Sequence, residues 1–127
     1  MKKKYDVIHV NGQSATMSVE MLAAKLAGCK LRVAHSHNSR CLHKKAHNML
    51  KPLFNATYND AIACSKEAGD WLFGDKPYWI LNNGIDIDKY KFSTTTRTEF
   101  RKKLKLSDKD IAVCHVGAFE PWKNHKF

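Results

Sequence analysis

Tyr78-Trp79-Ile80-Leu81-Asn82-Asn83-Gly84-Ile85-Asp86-Ile87-Asp88-Lys89 decides how this chain is organised. Its first four residues form an apolar run that reads as a short buried strand, and Asn82-Asn83-Gly84 then breaks it. Asparagine and glycine tolerate positive φ at low steric cost, so the pair marks a turn. No returning strand follows. Ile85-Asp86-Ile87-Asp88 drifts instead into a charged helical segment, so the chain is redirected at a strand end and is not folded back as a hairpin. Residues 78–89 are read as the hinge between two strand-helix patterns.

Upstream, residues 5–10 read as a strand, with Val7, Ile8 and Val10 apolar. Asn11 to Ser14 turn the chain into a helix over 15–26, striped by Met17, Met21 and Leu22 and ended by Gly28. Residues 31–34 give a second strand, which runs out into His35-Ser36-His37-Asn38-Ser39. A basic helix over 42–51 meets Pro52, where a kink is expected before a continuation over 53–58. Residues 61–64 are short and wholly apolar, as a central parallel strand should be. Ser65 can cap a helix over 66–73 that Gly74 ends. Beyond the hinge, Thr96-x-x-Glu99 has the form of a capping box for a helix to about 106. A fifth strand is expected over 111–116, closed by Gly117, with a loop at Glu120-Pro121 and a nascent helix from Lys123.

Strand-helix alternation predicts an α/β fold with a doubly wound parallel sheet. Such sheets bind ligands beyond the carboxyl ends of their strands. The residues there are Asn11-Gly12, the segment 35–38, Ser65, Asn83-Gly84 and the segment 117–123, and all are polar or glycine-bearing. The single helix and strand after the hinge are too little for a core of their own, so the chain is expected to be an interior slice of a longer protein.

The chain has 127 residues, 43% hydrophobic and 27% charged, a soluble globular composition. No apolar run approaches the roughly 18 residues of a membrane span. Lys2 to Lys4 imitate the basic start of an export signal, but residues 5–10 are too short and polar for its core. A cytoplasmic chain is expected. Cys29, Cys41, Cys64 and Cys114 form no Cys-x-x-Cys pair, which leaves reduced, buried thiols as the expectation. The net charge of +10 suits nucleic acid, anionic membranes or phosphate-bearing ligands. The basic residues are scattered, however, and no RNA-reading aromatic motif is present.

Five short motifs now stand in order: Tyr5-Asp6-Val7-Ile8-His9-Val10, Ala34-His35-Ser36-His37-Asn38-Ser39, Ala63-Cys64-Ser65, Asn83-Gly84-Ile85-Asp86, and Val116-Gly117-x-Phe119-x-x-x-Lys123-Asn124-His125. Together they resemble the bacterial retaining glycosyltransferases of family 4, of the kind used in capsule and exopolysaccharide synthesis. The resemblance implies a GT-B fold, two Rossmann-like domains facing a cleft. Residues 1–82 would be the later half of the acceptor-binding domain. Residues 83–127 would be the linker and start of the donor-binding domain, and the isolated chain would be inactive.

The resemblance also implies roles. His37 matches the family histidine that reaches the donor sugar and is the catalytic candidate. Gly117 and Lys123 match the donor-diphosphate site, although Ala118 stands where the family usually has an arginine. Gly12, Asn38, Ser65, Asn83, Gly84 and Asp86 would line the cleft or its acceptor side. The implied partners are a nucleotide sugar, as substrate, and a glycan or lipid-linked acceptor. No metal, cofactor or nucleic acid is expected.

Simpler readings compete with each role. Ser65 can serve as a helix cap alone, Lys123 as a solvated lysine, and His35 and His37 as surface histidines. His43 and His47 have metal-like spacing but no glutamate between them. Residues 40–53 can be a solvated basic helix or a contact with anionic membrane, with Leu42 and Met49 as apolar anchors. Trp71 and Trp79 read as core residues, and Trp122 as a cleft residue. The alternative function is a non-catalytic basic α/β module that binds phosphate-rich partners such as nucleic acid.

Overall fold

The computed structural model describes residues 4–119 and 123–125. Two compact units divide the chain, Met1–Ile85 and Asp86–Phe127. The expectations for Trp122 and for the loop at Glu120-Pro121 lie outside the described residues.

The first unit is built on a four-stranded parallel sheet. Strands β1 (Val7–Gly12), β2 (Leu31–Ser36), β3 (Asp60–Ala63) and β4 (Trp79–Ile80) lie side by side in that order. Helices α1 (Ser18–Leu26), α2 (Lys44–Thr57) and α3 (Lys66–Phe73) make the three crossovers, and a 3-10 turn at Ala15–Met17 leads into α1. This is the α/β, Rossmann-like arrangement. The strand order never reverses, so these strands correspond to one wing of a doubly wound sheet.

All three helices cover one face. Lys25 Nζ donates to the Ala56 carbonyl at 2.9 Å, joining α1 to α2. Lys51 Nζ donates to the Leu72 carbonyl, joining α2 to α3. Ser36 Oγ donates to the Ala68 carbonyl at 2.7 Å, joining β2 to α3. On that face the central strands carry Ala34, Ser36, Ala61 and Ala63, all buried. Small strand residues let Met21, Phe54 and Leu72 come down onto the sheet, so the helices supply the bulk of the core. The alternating residues Val7, His9, Asn11, Val33, His35, Ile62 and Trp79 belong to the other face.

Several boundaries move from their expected places. The first strand begins at Val7, not at residue 5, and runs through Asn11 and Gly12, because Gly12 pairs with Ser36 in the β2 register. Main-chain pairing is indifferent to side-chain polarity, so His35 and Ser36 also lie inside β2. Pro52 sits within α2 without ending it. Burial of His47, Phe54 and Thr57 along this helix outweighs the roughly 3 kcal/mol that an interior proline costs. Strand β4 has two residues, and Trp79 is 73% exposed, so this strand is an edge and Trp79 is not core. Trp71 is half-buried.

The hinge differs too. Residues 81–86 have no regular structure, and Gly28 and Gly74 are the described glycines with positive φ, so Gly84 makes no left-handed turn. The charged segment after it is one 3-10 turn, Ile87–Tyr90, capped by Asp86. Helix α4 (Thr94–Lys103) takes Ser93 as its cap, in place of Thr96 with Glu99. Residues 111–116 form no strand. A parallel strand needs a neighbour to pair with, and no strand is assigned among the described residues of the second unit. Cys114 is accordingly exposed and Cys64 half-buried; Cys29 is the buried thiol, and all four are free.

One glycine tests the packing of the first unit. A Cβ on Gly69 would overlap the ring of Tyr78, whose hydroxyl donates to Asp70 Oδ1 at 2.7 Å. Helix propensity alone would make Gly69→Ala stabilising by about 1 kcal/mol. The overlap reverses the sign, and denaturant unfolding should show a loss of about 1–3 kcal/mol. A gain would mean that Tyr78 does not pack on α3.

Candidate functional site

The carboxyl ends of β1, β2 and β3 form one edge, and the candidates Gly12, His37, Asn38 and Ser65 lie along it. Backbone pairing continues past the strand ends. His37 N–H donates to the Gly12 carbonyl at 3.0 Å, and Cys64 N–H donates to the Ser36 carbonyl at 2.9 Å. His37 is thus held in extended continuation of β2. A Cβ on Gly12 would stand 2.6 Å from the buried Met17 sulfur, so a larger residue there would have to displace Met17. Ser65 Oγ accepts from Ala68 N–H at 3.3 Å and caps α3, its simpler role.

Residues two apart on extended backbone share a face, and here the consequence is a row of histidines. His9 Nε2 and His35 Nδ1 are 3.1 Å apart, with the rings stacked at 5.2 Å. The His35 and His37 ring centroids are 4.1 Å apart. His37 Nε2 lies 2.9 Å from Asn11 Oδ1, and Asn38 Nδ2 donates to Gln13 Oε1 at 2.7 Å. Gln13 is fixed in turn by Trp71 Nε1, which donates to its carbonyl at 3.2 Å. Sequence reasoning gave Gln13 and His9 no role and treated Asn11 as a post-strand residue. Asn11 is two positions from His9, but its pairing across to His35 is set by the β1–β2 register and is not carried by any local sequence signal.

His35 is buried, and its Nε2 has no hydrogen-bond partner among the described residues. Burial lowers its pKa below the ordinary 6.5, and the neighbouring His37 and His9 lower it further. His47, expected on an exposed basic helix, is buried. Its Nδ1 accepts from Ala15 N–H at 3.2 Å and its ring stacks on Trp71 at 4.7 Å. Burial, then Lys51, lowers its pKa from 6.5. His43 is exposed, so the His43–His47 pair does not converge. Among the described residues no group of three or more His, Cys, Asp or Glu side chains is placed to hold a metal.

Both depressed histidines act on stability with the same sign. The unfolded chain takes up their protons near pH 6.5, while the folded chain does so only at lower pH. Stability is therefore full above 6.5 and falls as pH drops below it. The urea midpoint should be lower at pH about 5.5 than at about 7.5, a window above the usual carboxylate range. An equal or higher midpoint at the acid end would show that neither histidine is held neutral.

The remaining candidates divide between the units. Asn83 and Gly84 are exposed, and a Cβ on Gly84 would meet nothing within 4 Å. Asp86 caps the 3-10 turn, its carboxylate accepting from Asp88 N–H at 3.2 Å, and pairs with Lys89 at 3.6 Å. In the second unit Gly117 and Lys123 are neighbours, since a Cβ on Gly117 would lie 3.8 Å from Lys123 Cδ. His125 organises this loop. Its ring stacks on His115 at 4.3 Å and lies 4.8 Å from Phe119, and its Nε2 donates to the Ala118 carbonyl at 2.8 Å.

No family model and no solved structure matches this chain. The chain is similar to a protein from Bacillus subtilis (strain 168) described as "Putative glycosyltransferase EpsF", 30% identical over 119 residues. The alignment covers 84% of this chain and 30% of that protein, so the chain spans under a third of the relative's length. This likeness supports a glycosyltransferase.

Proposed function

We propose that the protein transfers a sugar from a nucleotide-diphosphate sugar to a glycan or lipid-linked acceptor in surface polysaccharide synthesis, with retention. In this reading it belongs to family 4 with a GT-B fold. Residues 1–82 serve the acceptor domain and 83–127 lead into the donor domain. The observation that carries the proposal is His37 with Asn38 just beyond the carboxyl end of β2, on a chain similar to a glycosyltransferase over most of its length. His37 contacts the donor sugar, and Gly117 and Lys123 hold the diphosphate, whose negative charge grows as the bond to the sugar breaks. Gly12, Asn38, Ser65, Asn83, Gly84 and Asp86 line the cleft or its acceptor side, and the reaction uses no metal. The protein works in the cytoplasm at the membrane face. Leu42 and Met49 are each 75% exposed, beside the exposed Lys44 and Lys45, a pairing suited to anionic head groups. No described helix is long and apolar enough to cross a membrane.

The test is to express the open reading frame that encodes these residues and supply a panel of nucleotide-diphosphate sugars with membrane extract. Release of nucleoside diphosphate, with a product of the donor's anomeric configuration, is expected. No turnover of any donor would sink the proposal, and an inverted product would remove family 4.

A further inference from the structure

We propose that Asn11 is a positioning residue that holds His37 as its Nε2–H tautomer, turning the Nδ1 lone pair toward the ligand. Parallel pairing sets Asn11 opposite His35, and two further residues of extended chain bring His37 round to the same side. The His37 main chain is tied to the neighbouring Gly12 carbonyl, so the root of the ring stays beside β1. Asn11 Oδ1 stands 2.9 Å from His37 Nε2. A carbonyl oxygen only accepts, so the proton must be on Nε2. A neutral imidazole carries one N–H, which leaves Nδ1 as an acceptor. The far side of the ring packs on His35, and His35 is buried and held neutral. The shelf beneath His37 therefore adds no second positive charge. A ring fixed in this way accepts a hydroxyl hydrogen from a sugar and does not donate to it.

This role for Asn11 rests on the reading of His37 as the donor-sugar contact, but its tautomer is observable without any sugar. Long-range proton–nitrogen NMR correlations on histidine-labelled protein separate the two tautomers. Wild type should show His37 protonated at Nε2. Asn11→Ala should give a mixture of tautomers, and Asn11→Asp, which keeps an acceptor in place, should restore the Nε2–H form. In the transferase assay Asn11→Ala should lose about tenfold in kcat/KM, the worth of one hydrogen bond, and Asn11→Asp should recover part of it. A wild-type Nδ1–H tautomer, or an unaltered tautomer in Asn11→Ala, overturns the assignment whatever the enzyme does. The predicted tautomer shift with no transfer activity from any variant would leave the positioning intact and remove the sugar-contact role.

Discussion

Lys123→Ala in the active protein is expected to lower kcat by about 10²–10³-fold while leaving the fold unchanged. The magnitude is that of removing one preorganised donor from a site where negative charge develops. Lys123 is exposed, and its aliphatic stem runs beside Gly117, so truncating it opens no cavity. In the proposed reading the loss would be large because one cation stands where the resembled family uses two. By the same resemblance Ala118 stands at the arginine position, and its carbonyl is held by His125. Ala118→Arg should accordingly raise turnover by roughly 10- to 100-fold, since a charge-assisted bidentate contact felt only in the transition state contributes about 1.5–3 kcal/mol. Steady-state kinetics over several nucleotide sugars decide both. An unchanged rate for Lys123→Ala would make it an ordinary solvated lysine. A lower rate for Ala118→Arg would mean that this loop shapes a different donor pocket.

What could be read in the sequence depended on how local each feature is. The strand-helix alternation and the stops at Gly28 and Gly74 follow from residue type within a few positions, and the structure has them in place. The Ser65 cap belongs with them. Features that depend on a distant partner were misplaced. Strand β1 extends through polar residues because β2 lies beside it, and residues 111–116 look like a strand but none pairs with them. By contrast, the continuation of the helix past Pro52 was expected, and α2 runs through it to Thr57.

The candidate site divides along the same line. His37 and Lys123 are candidates through the family resemblance, and their roles belong to the proposed function. Asn11 could not be picked out, because its contact with His37 arises only when parallel pairing sets residue 11 opposite residue 35. His47 reads as part of a solvated, metal-like helix until Ala15 and Trp71 close over it.

Phe54→Ala should cost about 3–5 kcal/mol, the range for emptying a fully buried aromatic site. Phe54 has no exposed surface. Its ring centroid is 4.7 Å from that of Tyr58 and 6.1 Å from that of Phe73, and Lys51 Nζ lies 5.9 Å from it. The strand side of the cavity is lined by alanines, and small side chains on paired backbone cannot move in to fill it. The cost should therefore fall at the upper end. A domain of this size is stable by only about 5–15 kcal/mol, so the variant should be partly unfolded near 37 °C. Phe54→Leu keeps most of the volume and should lose less than about 1.5 kcal/mol. Trp71 of α3 reports the transition because it stacks on His47, which shares α2 with Phe54. Helix α2 also holds Ala15 through His47, next to the turn that follows Gly12. Loosening α2 should thus disturb the His37 edge well before global unfolding, and hydrogen exchange at Ala15 N–H should quicken in Phe54→Ala. If Phe54→Ala costs less than about 1 kcal/mol with Ala15 exchange unchanged, α2 is not what clamps this sheet.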